Sequence, residues 1–435
     1  MAAKATAKPF SGTFSPKGLV STCLSANIPV RRRANRARLA RRIDWLVPVR
    51  PGSWAFVSKK HVPIAGNLRA SLDHVARHSG GDIVVYSEGG VNGDLADALE
   101  SAGARLLSAF NLLSLYYLLS SETVVVSHSA RDAYISRRKR GRAVVNVWHG
   151  VALKRIEALM PARDSDEHER RLALIKRNGE VYDAVLASNE VDRLVNSCAF
   201  NVPFEKVHAV GLPRFDYFRT EHRWPADLAN QEARLADAME GRQLLLYAPT
   251  FREHGMRLRD LLPDHELAII QKFCARERFV FAVRPHPYQQ AEFDRDFAAK
   301  GILDLSPARY PETAVVLNKT SLLVADYSSI WVDFLFTDRP VIGFCPDMKA
   351  YISKDRNFIY DYEKLFPGPI ANTWTEALEL ACACQGRDHA ERRQHARKML
   401  LPEPASRTAC ERFMSEVVSS LPNRRSQTKP RRGHQ

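Results

Sequence analysis

Short aliphatic runs alternate with segments of helical length along most of the chain, and this alternation limits the possible folds more than any other feature. Runs rich in valine, leucine and alanine are typical of strands buried on both faces of a parallel sheet. Helices must then cover both faces, so we predict an α/β fold with doubly wound parallel sheets. The predicted strands are 54–57, 83–86, 123–126, 144–148, 184–187, 207–210, 243–247, 279–283, 321–325 and 341–344, and the predicted helices include 67–78, 94–102, 258–274 and 330–336.

Two series of strands predict two facing Rossmann-like domains, at 46–225 and 240–385, with the ligand in the cleft between them. Residues 1–45 are predicted to be a basic flexible arm. Within it, 34–46 can form a short basic helix suited to an anionic membrane surface, although a solvated charged tail explains the same residues. Residues 386–435 are predicted to form a C-terminal helix and a basic tail.

The formal net charge of +15 indicates attraction to polyanions. Nucleic acid, anionic lipid and phosphate-rich substrates all meet that condition, so charge alone does not choose among them. The longest apolar stretch, 112–119, is too short to cross a membrane. Seven scattered cysteines show neither a disulfide framework nor zinc spacing, and no carboxylate cluster demands a metal. We therefore expect a protein with reduced thiols, no metal and no cofactor.

Polar strings follow several predicted strands at the point where each strand ends. They are Trp-His-Gly at 148–150, Tyr-Ala-Pro-Thr-Phe-Arg at 247–252, Arg-Pro-His-Pro at 284–287 and Asp-Tyr-Ser-Ser at 326–329. Each string alone is explained by a cap or a turn. Because ligands bind at the carboxyl ends of parallel strands, their shared placement predicts one site. Imidazoles, arginines and a Ser-Ser turn before a helix suit the binding and transfer of phosphate.

Together the strings resemble those of the CDP-glycerol glycerophosphotransferases of teichoic-acid and capsule synthesis. The resemblance covers residues 53–369, and the strings occur in the same order. Besides the four strings above, it rests on Leu153-Lys154, Gly211-Leu212-Pro213-Arg214-Phe215-Asp216, Asp333-Phe334, Arg339-Pro340, Asp347, Tyr351 and Pro367-Gly368-Pro369.

The resemblance implies a GT-B-like fold whose C-terminal domain binds most of a CDP-linked donor, CDP-glycerol or CDP-ribitol. The reaction would transfer the polyol phosphate to a hydroxyl of a lipid-linked or polymeric polyanionic acceptor and release CMP. Such an enzyme would be cytoplasmic and peripheral at the inner face of the membrane.

Carried over to this sequence, the resemblance gives each residue a role. His149 would be the base that accepts the proton of the acceptor hydroxyl. His286 and Arg284 would contact the pyrophosphate, with His286 assisting the departure of CMP. Ser328 and Ser329 would bind phosphate. The other expected substrate-binding residues are Gly150, Lys154, Thr250, Arg252, Asp326 and Asp333, of which the two aspartates would orient donor hydroxyls or the turn itself.

One departure from the family concerns the residues after Trp-His-Gly. The family often has Thr-Pro there, and this chain has Val151-Ala152, which puts the identity of the acceptor in question. A GT-B glycosyltransferase that uses a nucleotide sugar is the nearest alternative. A nucleic-acid-binding protein is less favoured, because the basic residues concentrate near the two ends and no aromatic RNA-binding string or helix-turn-helix pattern is present.

Overall fold

Two parallel β-sheets, one in each half of the chain, form the framework of the protein. The structure is a computed structural model that describes residues 30–422 except 61, 89, 162–163, 220–222, 254, 355–356, 385–388 and 404. The strands are β1 Arg50–Val57, β2 Ile83–Tyr86, β3 Ala104–Leu107, β4 Ser121–Val126, β5 Ala143–Asn146, β6 Ala184–Leu186, β7 Val207–His208, β8 Gln243–Ala248, β9 Phe279–Val283, β10 Leu303–Asp304, β11 Thr320–Ala325, β12 Val341–Phe344 and β13 Ile370–Ala371.

The strand order is that of two doubly wound sheets. The first sheet has seven strands in the order β3-β2-β1-β4-β5-β6-β7, and the second has six in the order β10-β9-β8-β11-β12-β13. Every adjacent pair is parallel. The predicted architecture of two Rossmann-like halves is therefore confirmed.

Helices connect the strands and cover the sheets. They are α1 Val30–Ile43, α2 Gly66–His78, α3 Gly93–Ser101, α4 Leu112–Ser120, α5 Ser165–Val181, α6 Glu190–Phe200, α7 Ala226–Met239, α8 Leu258–Leu261, α9 Asp264–Glu277, α10 Gln290–Asp296, α11 Thr313–Lys319, α12 Ile330–Phe334, α13 Met348–Lys354, α14 Tyr362–Leu365, α15 Trp374–Cys384, α16 Ala390–Leu400 and α17 Ala409–Arg412. In the part of the chain that the structure describes, no helix is long and apolar enough to span a bilayer.

Alternate residues of a central strand pack into different hydrophobic clusters. In β1, Trp54 and Phe56 belong to one cluster, whereas Ala55 and Val57 belong to a second on the opposite face. The first cluster continues into the other half of the chain, where it includes Leu246 of β8. Both faces of the sheet are thus buried, which is why the strands read as continuous aliphatic runs.

Several elements differ from the prediction. Strands β3, β10 and β13 were not predicted, because they are short edge strands. The helix expected at 258–274 is interrupted at Pro263, which lacks an N–H and restricts the residue before it. The helix expected at 330–336 has only five α-helical residues and continues as a 3-10 turn.

The expected flexible arm requires a larger correction. Residues 1–29 lie outside the described residues, but 30–45 are not an arm, because α1 packs on the body of the protein. Ala40 is buried in the cluster that also contains Leu115 of α4. Asp44 is buried and forms a bidentate ion pair with Arg142, at 2.6 and 2.8 Å.

The C-terminal segment returns to the first half of the molecule. The hydroxyl of Ser188, after β6, donates to the carbonyl of Leu400 at the end of α16. The carboxylate of Asp216 accepts from the backbone N–H groups of Ala409 and Cys410, at 2.8 and 2.9 Å. These bonds attach α16 and α17 to the first half of the molecule.

Replacing Asp216 by alanine tests the importance of this fastening. The change leaves two backbone donors of α17 without their acceptor, so we expect the free energy of unfolding to fall by about 2 kcal/mol. Urea denaturation measures this difference. Asp237→Ala, at an exposed position of α7, is the control and should be close to wild type. Equal stability of the two variants would contradict the assigned role of Asp216.

Candidate active site

A cleft of about 490 Å³ lies between the two halves, at the carboxyl ends of their strands. Its walls come from the segments that follow β5 in the first half and β8, β9 and β11 in the second. These are the four polar strings of the sequence. Eight of the predicted site residues line this cleft: His149, Gly150, Lys154, Thr250, Arg284, His286, Ser328 and Ser329.

His149 presents one nitrogen to the cleft and uses the other to fix its ring. Its Nδ1 lies 3.1 Å from the carbonyl oxygen of Ser127, an acceptor, so Nδ1 carries the proton and Nε2 carries the lone pair. The ring is exposed to the cleft, but protein surrounds its other sides. This burial lowers the pKa of His149 to about 4, and the cationic side chains of Arg214 and Lys59 act in the same direction. The imidazole is therefore neutral at physiological pH and able to accept a proton.

The backbone that carries His149 is strained and firmly held. Trp148 has a φ of 51°, in the left-handed region that a bulky residue rarely adopts. Its N–H donates to Asn146 at 2.9 Å, and the side-chain amide of Asn67 donates to the carbonyl of Trp148 at 3.1 Å. Such strain persists only where the surroundings impose it, and it is concentrated at functional sites.

His286, on the other side of the cleft, is held in the opposite tautomer. Its Nδ1 accepts from the backbone N–H of Tyr288 at 3.3 Å, so the proton of the neutral ring lies on Nε2. The ring also stacks on Phe251, with centroids 5.6 Å apart. The two histidines therefore differ in function: Nε2 of His149 is an acceptor, and Nε2 of His286 is a donor.

Arg284 lines the cleft, but its guanidinium mainly holds a loop. It donates to the carbonyls of Leu305 and Tyr310, at 2.6 and 2.9 Å, and to the hydroxyl of Thr313 at 2.9 Å. Burial lowers the pKa of Arg284 to about 10, so the group is still a cation at neutral pH. It acts on the cleft through its charge and by positioning the 305–313 loop.

Arg252 was predicted to contact phosphate and Asp326 to orient donor hydroxyls or the turn, and neither side chain lines the cleft. The guanidinium of Arg252 is wholly buried between Asp326 at 2.9 Å and Asp347 at 2.6 Å. Asp326 also accepts from the N–H of Thr250, at 2.8 and 3.1 Å. This network supports the cleft floor and presents Thr250, whose buried hydroxyl has no hydrogen-bond partner among the described residues.

Asp333 is likewise buried beneath the cleft surface rather than exposed on it. It accepts from Nε and Nη2 of Arg214, at 3.1 and 2.9 Å. Nη1 of the same arginine donates to the carbonyl oxygen of His149 at 2.6 Å. Arg214 thus joins the His149 loop of the first half to α12 of the second. Sequence reasoning noted the 211–216 string but gave Arg214 no role.

The loop after β5 also contacts the second half directly. A Cβ placed on Gly150 would lie 3.4 Å from the hydroxyl oxygen of Ser329, so a larger residue here would crowd the serine turn. Nζ of Lys154 donates to the hydroxyl of Tyr351 at 3.2 Å. Ser328 accepts from the N–H of Ile330 at 3.3 Å. Because α12 is so short, the hydroxyls of the serine turn matter more here than a helix dipole.

The residues next to the proposed base are apolar. Val151 and Ala152 are buried, and both line the cleft. The N–H of Ala152 lies 3.3 Å from the buried carboxylate of Asp192, a bond that proline at this position could not make. Among the described residues, no group of three His, Cys, Asp or Glu side chains is arranged to hold a metal ion.

Comparison with known proteins assigns the family. The profile of CDP-Glycerol:Poly(glycerophosphate) glycerophosphotransferase matches residues 39–401. The chain is 24% identical over 353 residues to the teichoic acid poly(ribitol-phosphate) polymerase of Bacillus spizizenii, covering 77% of this chain and 51% of that protein. It is 25% identical over 284 residues to the teichoic acid glycerol-phosphate primase of Bacillus subtilis, covering 63% and 69%.

The fold is also that of a solved relative. The structure of the wall teichoic acid polymerase TagF superposes with a TM-score of 0.68 at 17% identity, over 85% of this chain and 89% of that one. The match spans about half the length of the polymerase from Bacillus spizizenii. The family profile nevertheless covers most of the chain, from before β1 to the end of α16. The chain therefore belongs to the CDP-glycerol:poly(glycerophosphate) glycerophosphotransferase family.

Proposed function

We propose that the protein transfers glycerol phosphate, or another polyol phosphate, from a CDP-linked donor to an acceptor hydroxyl and releases CMP. The observation that carries this proposal is the pair of histidines. They come from opposite halves, line the same cleft and have opposite tautomers fixed by the backbone. One is equipped to remove a proton and the other to donate a hydrogen bond, as an in-line displacement between two oxygens requires.

In the proposed step, the acceptor oxygen attacks the β-phosphorus of the donor. A bond forms between that oxygen and phosphorus, and the bond from the β-phosphorus to the bridging oxygen breaks. The hydroxyl proton passes to Nε2 of His149, and CMP leaves with the bridging oxygen, to which Nε2–H of His286 donates. Ser328, Ser329 and Thr250 supply hydroxyls to the phosphate oxygens, so most of the catalysis comes from positioning and charge stabilisation.

A panel of donors tests the reaction. CDP-glycerol, CDP-ribitol and a UDP-sugar are offered separately with a polyol-phosphate acceptor, and nucleotide release is measured. We expect CMP from a CDP-polyol and no UDP from the sugar nucleotide. His149→Ala and His286→Ala should each lower turnover by more than about a hundredfold, the usual effect of losing an acid or base. Release of UDP alone would refute the proposal, and near wild-type turnover in either variant would refute the role of that histidine.

The pH dependence of the reaction provides a separate test. Because the folded protein lowers the pKa of His149 to about 4, the neutral base persists well below the usual pKa of 6.5. We expect kcat/KM to fall only as pH drops below about 5, with an acid limb near pH 4. Recovery of activity on return to neutral pH controls for unfolding. An acid limb near 6.5 would contradict the assigned environment of His149.

We also propose that the enzyme works in the cytoplasm, peripherally on the anionic inner face of the membrane. The support is an outward surface formed by α1, the turn after it and α4. Trp45 and Leu46 are 74% and 59% exposed, and Leu112 and Leu113 are 75% and 56% exposed. Arg38, Arg41 and Arg42 of α1 are exposed just before Trp45 in the sequence, and Ala40 of α1 packs in the same cluster as Leu115 of α4. Apolar side chains beside arginines suit insertion at the boundary between headgroups and acyl chains.

Flotation with anionic liposomes tests the membrane surface. Leu112→Ala combined with Leu113→Ala should lower the partition coefficient for the liposomes at least about tenfold, because each leucine loses apolar area that would enter the lipid. Leu194→Ala, which is 56% exposed on α6, is the matched control and should bind as wild type. Equal binding by the double variant and the control would exclude this surface.

A further inference from the structure

The first sheet reverses its strand order between β1 and β4. The chain passes from β1 to β2 and β3 on one side, and then returns to β4 on the other side of β1. At such a point the loops leave the two strands in opposite directions and open a crevice, where α/β proteins bind ligands. Lys59 follows β1 here, and His128 follows β4. Neither residue has a role in the reaction described above.

Strand register places Lys59, His128 and His149 at three adjacent strand ends. Val57 pairs with Val126, so Lys59 and His128 each lie two residues beyond paired positions. The next strand, β5, leads to His149. The rings of His128 and His149 are stacked, with centroids 4.3 Å apart and planes 16° from parallel. His128, at the end of β4, therefore lies directly against the proposed base.

Lys59 and its neighbour Lys60 differ in whether a carboxylate pairs with the ammonium group. Lys60 lies 3.5 Å from the carboxylate of Glu88. Lys59 is exposed, and no ion pair joins it to any carboxylate of the described residues. Burial is the main cause that lowers the pKa of His128 to about 2. The positive charge of Lys59 also lowers the pKa of both His128 and His149. Lys59 thus leaves a positive charge beside two neutral rings, an arrangement that attracts an anion.

We propose that Lys59 binds an anionic group of the acceptor, the phosphate nearest to the attacking hydroxyl, while that hydroxyl lies against Nε2 of His149. This inference rests on the proposed function and specifies its acceptor: a polyol phosphate rather than a neutral alcohol. At the end of a polyol-phosphate chain, a few carbon atoms separate the terminal hydroxyl from the phosphate, so the proposal requires one end group to span Lys59 and His149. The donor phosphates occupy the other half of the cleft, at His286, Ser328 and Ser329.

The test measures binding of two small acceptor mimics, glycerol 3-phosphate and glycerol, to the full chain by calorimetry. Excess CDP is present to occupy the donor phosphate site. Lys59→Gln should weaken glycerol 3-phosphate binding about tenfold or more, the scale of one charge-assisted contact, and added salt should reduce the difference. Lys60→Gln is the matched control and should remain within about twofold of wild type. Glycerol should not distinguish the three proteins.

Several outcomes would overturn the subsite. They are undetectable binding of glycerol 3-phosphate to wild type, unchanged affinity in Lys59→Gln, and equal weakening in both lysine variants. A raised pKa of His149 in Lys59→Gln, with unchanged affinity for glycerol 3-phosphate, would make Lys59 only a modulator of the base. The donor panel remains independent: if wild type releases CMP but Lys59→Gln binds the mimic normally, only the subsite fails.

Discussion

The position of the proposed base relative to the donor half depends on Arg214. Nη1 of its guanidinium donates to the carbonyl of His149, and Nε and Nη2 donate to the carboxylate of Asp333 in the opposite half. A planar fork with fixed donor directions can connect a carbonyl and a carboxylate in one geometry only, which a lysine could not do. Because Asp333 is buried, loss of the arginine would leave an uncompensated carboxylate between the halves. The position of His149 and the packing of the two halves therefore both depend on the side chain of Arg214.

In the second half, two buried arginines support the proposed phosphate site from below and do not line the cleft with free donors. Arg252 is enclosed by Asp326 and Asp347, and Arg284 by two carbonyls and a hydroxyl. Burying these groups has a large desolvation cost, which such complete pairing offsets. The two paired arginines thus form a rigid floor that positions the Thr250 hydroxyl, the serine turn and His286. Preorganised polar groups of this kind need no rearrangement when charge develops during transfer.

The sequence predicted the parallel sheets and the convergence of the four polar strings, because both follow from local hydrophobic runs and from where they end. It could not predict which cations face the cleft. Asp333 and Arg214 are 119 residues apart, and only the packing of the halves brings them together. Because Arg252 follows a strand, the sequence suggested that it binds phosphate. In the structure, the carboxylates of Asp326 and Asp347 enclose its guanidinium. The adjacency of Lys59 and His128 likewise depends on strand order, which the periodicity of one chain does not give. The short edge strands were missed because two to four residues carry too little pattern.

The distribution of charge between the two halves bears on which substrate each half receives. In the second half, both arginines of the site donate to protein acceptors, so the proposed donor binding would rely on hydroxyls, one imidazole N–H and the field of a buried cation. In the first half, Lys59 is exposed beside the base, and Arg38, Arg41 and Arg42 of α1 are exposed. These charges attract anionic ligands that approach the first half. A nucleotide donor is small and can diffuse into a preformed cleft. A polyanionic acceptor attached to a membrane would gain more from a positive surface, and Lys59 is an accessible positive charge beside the proposed base.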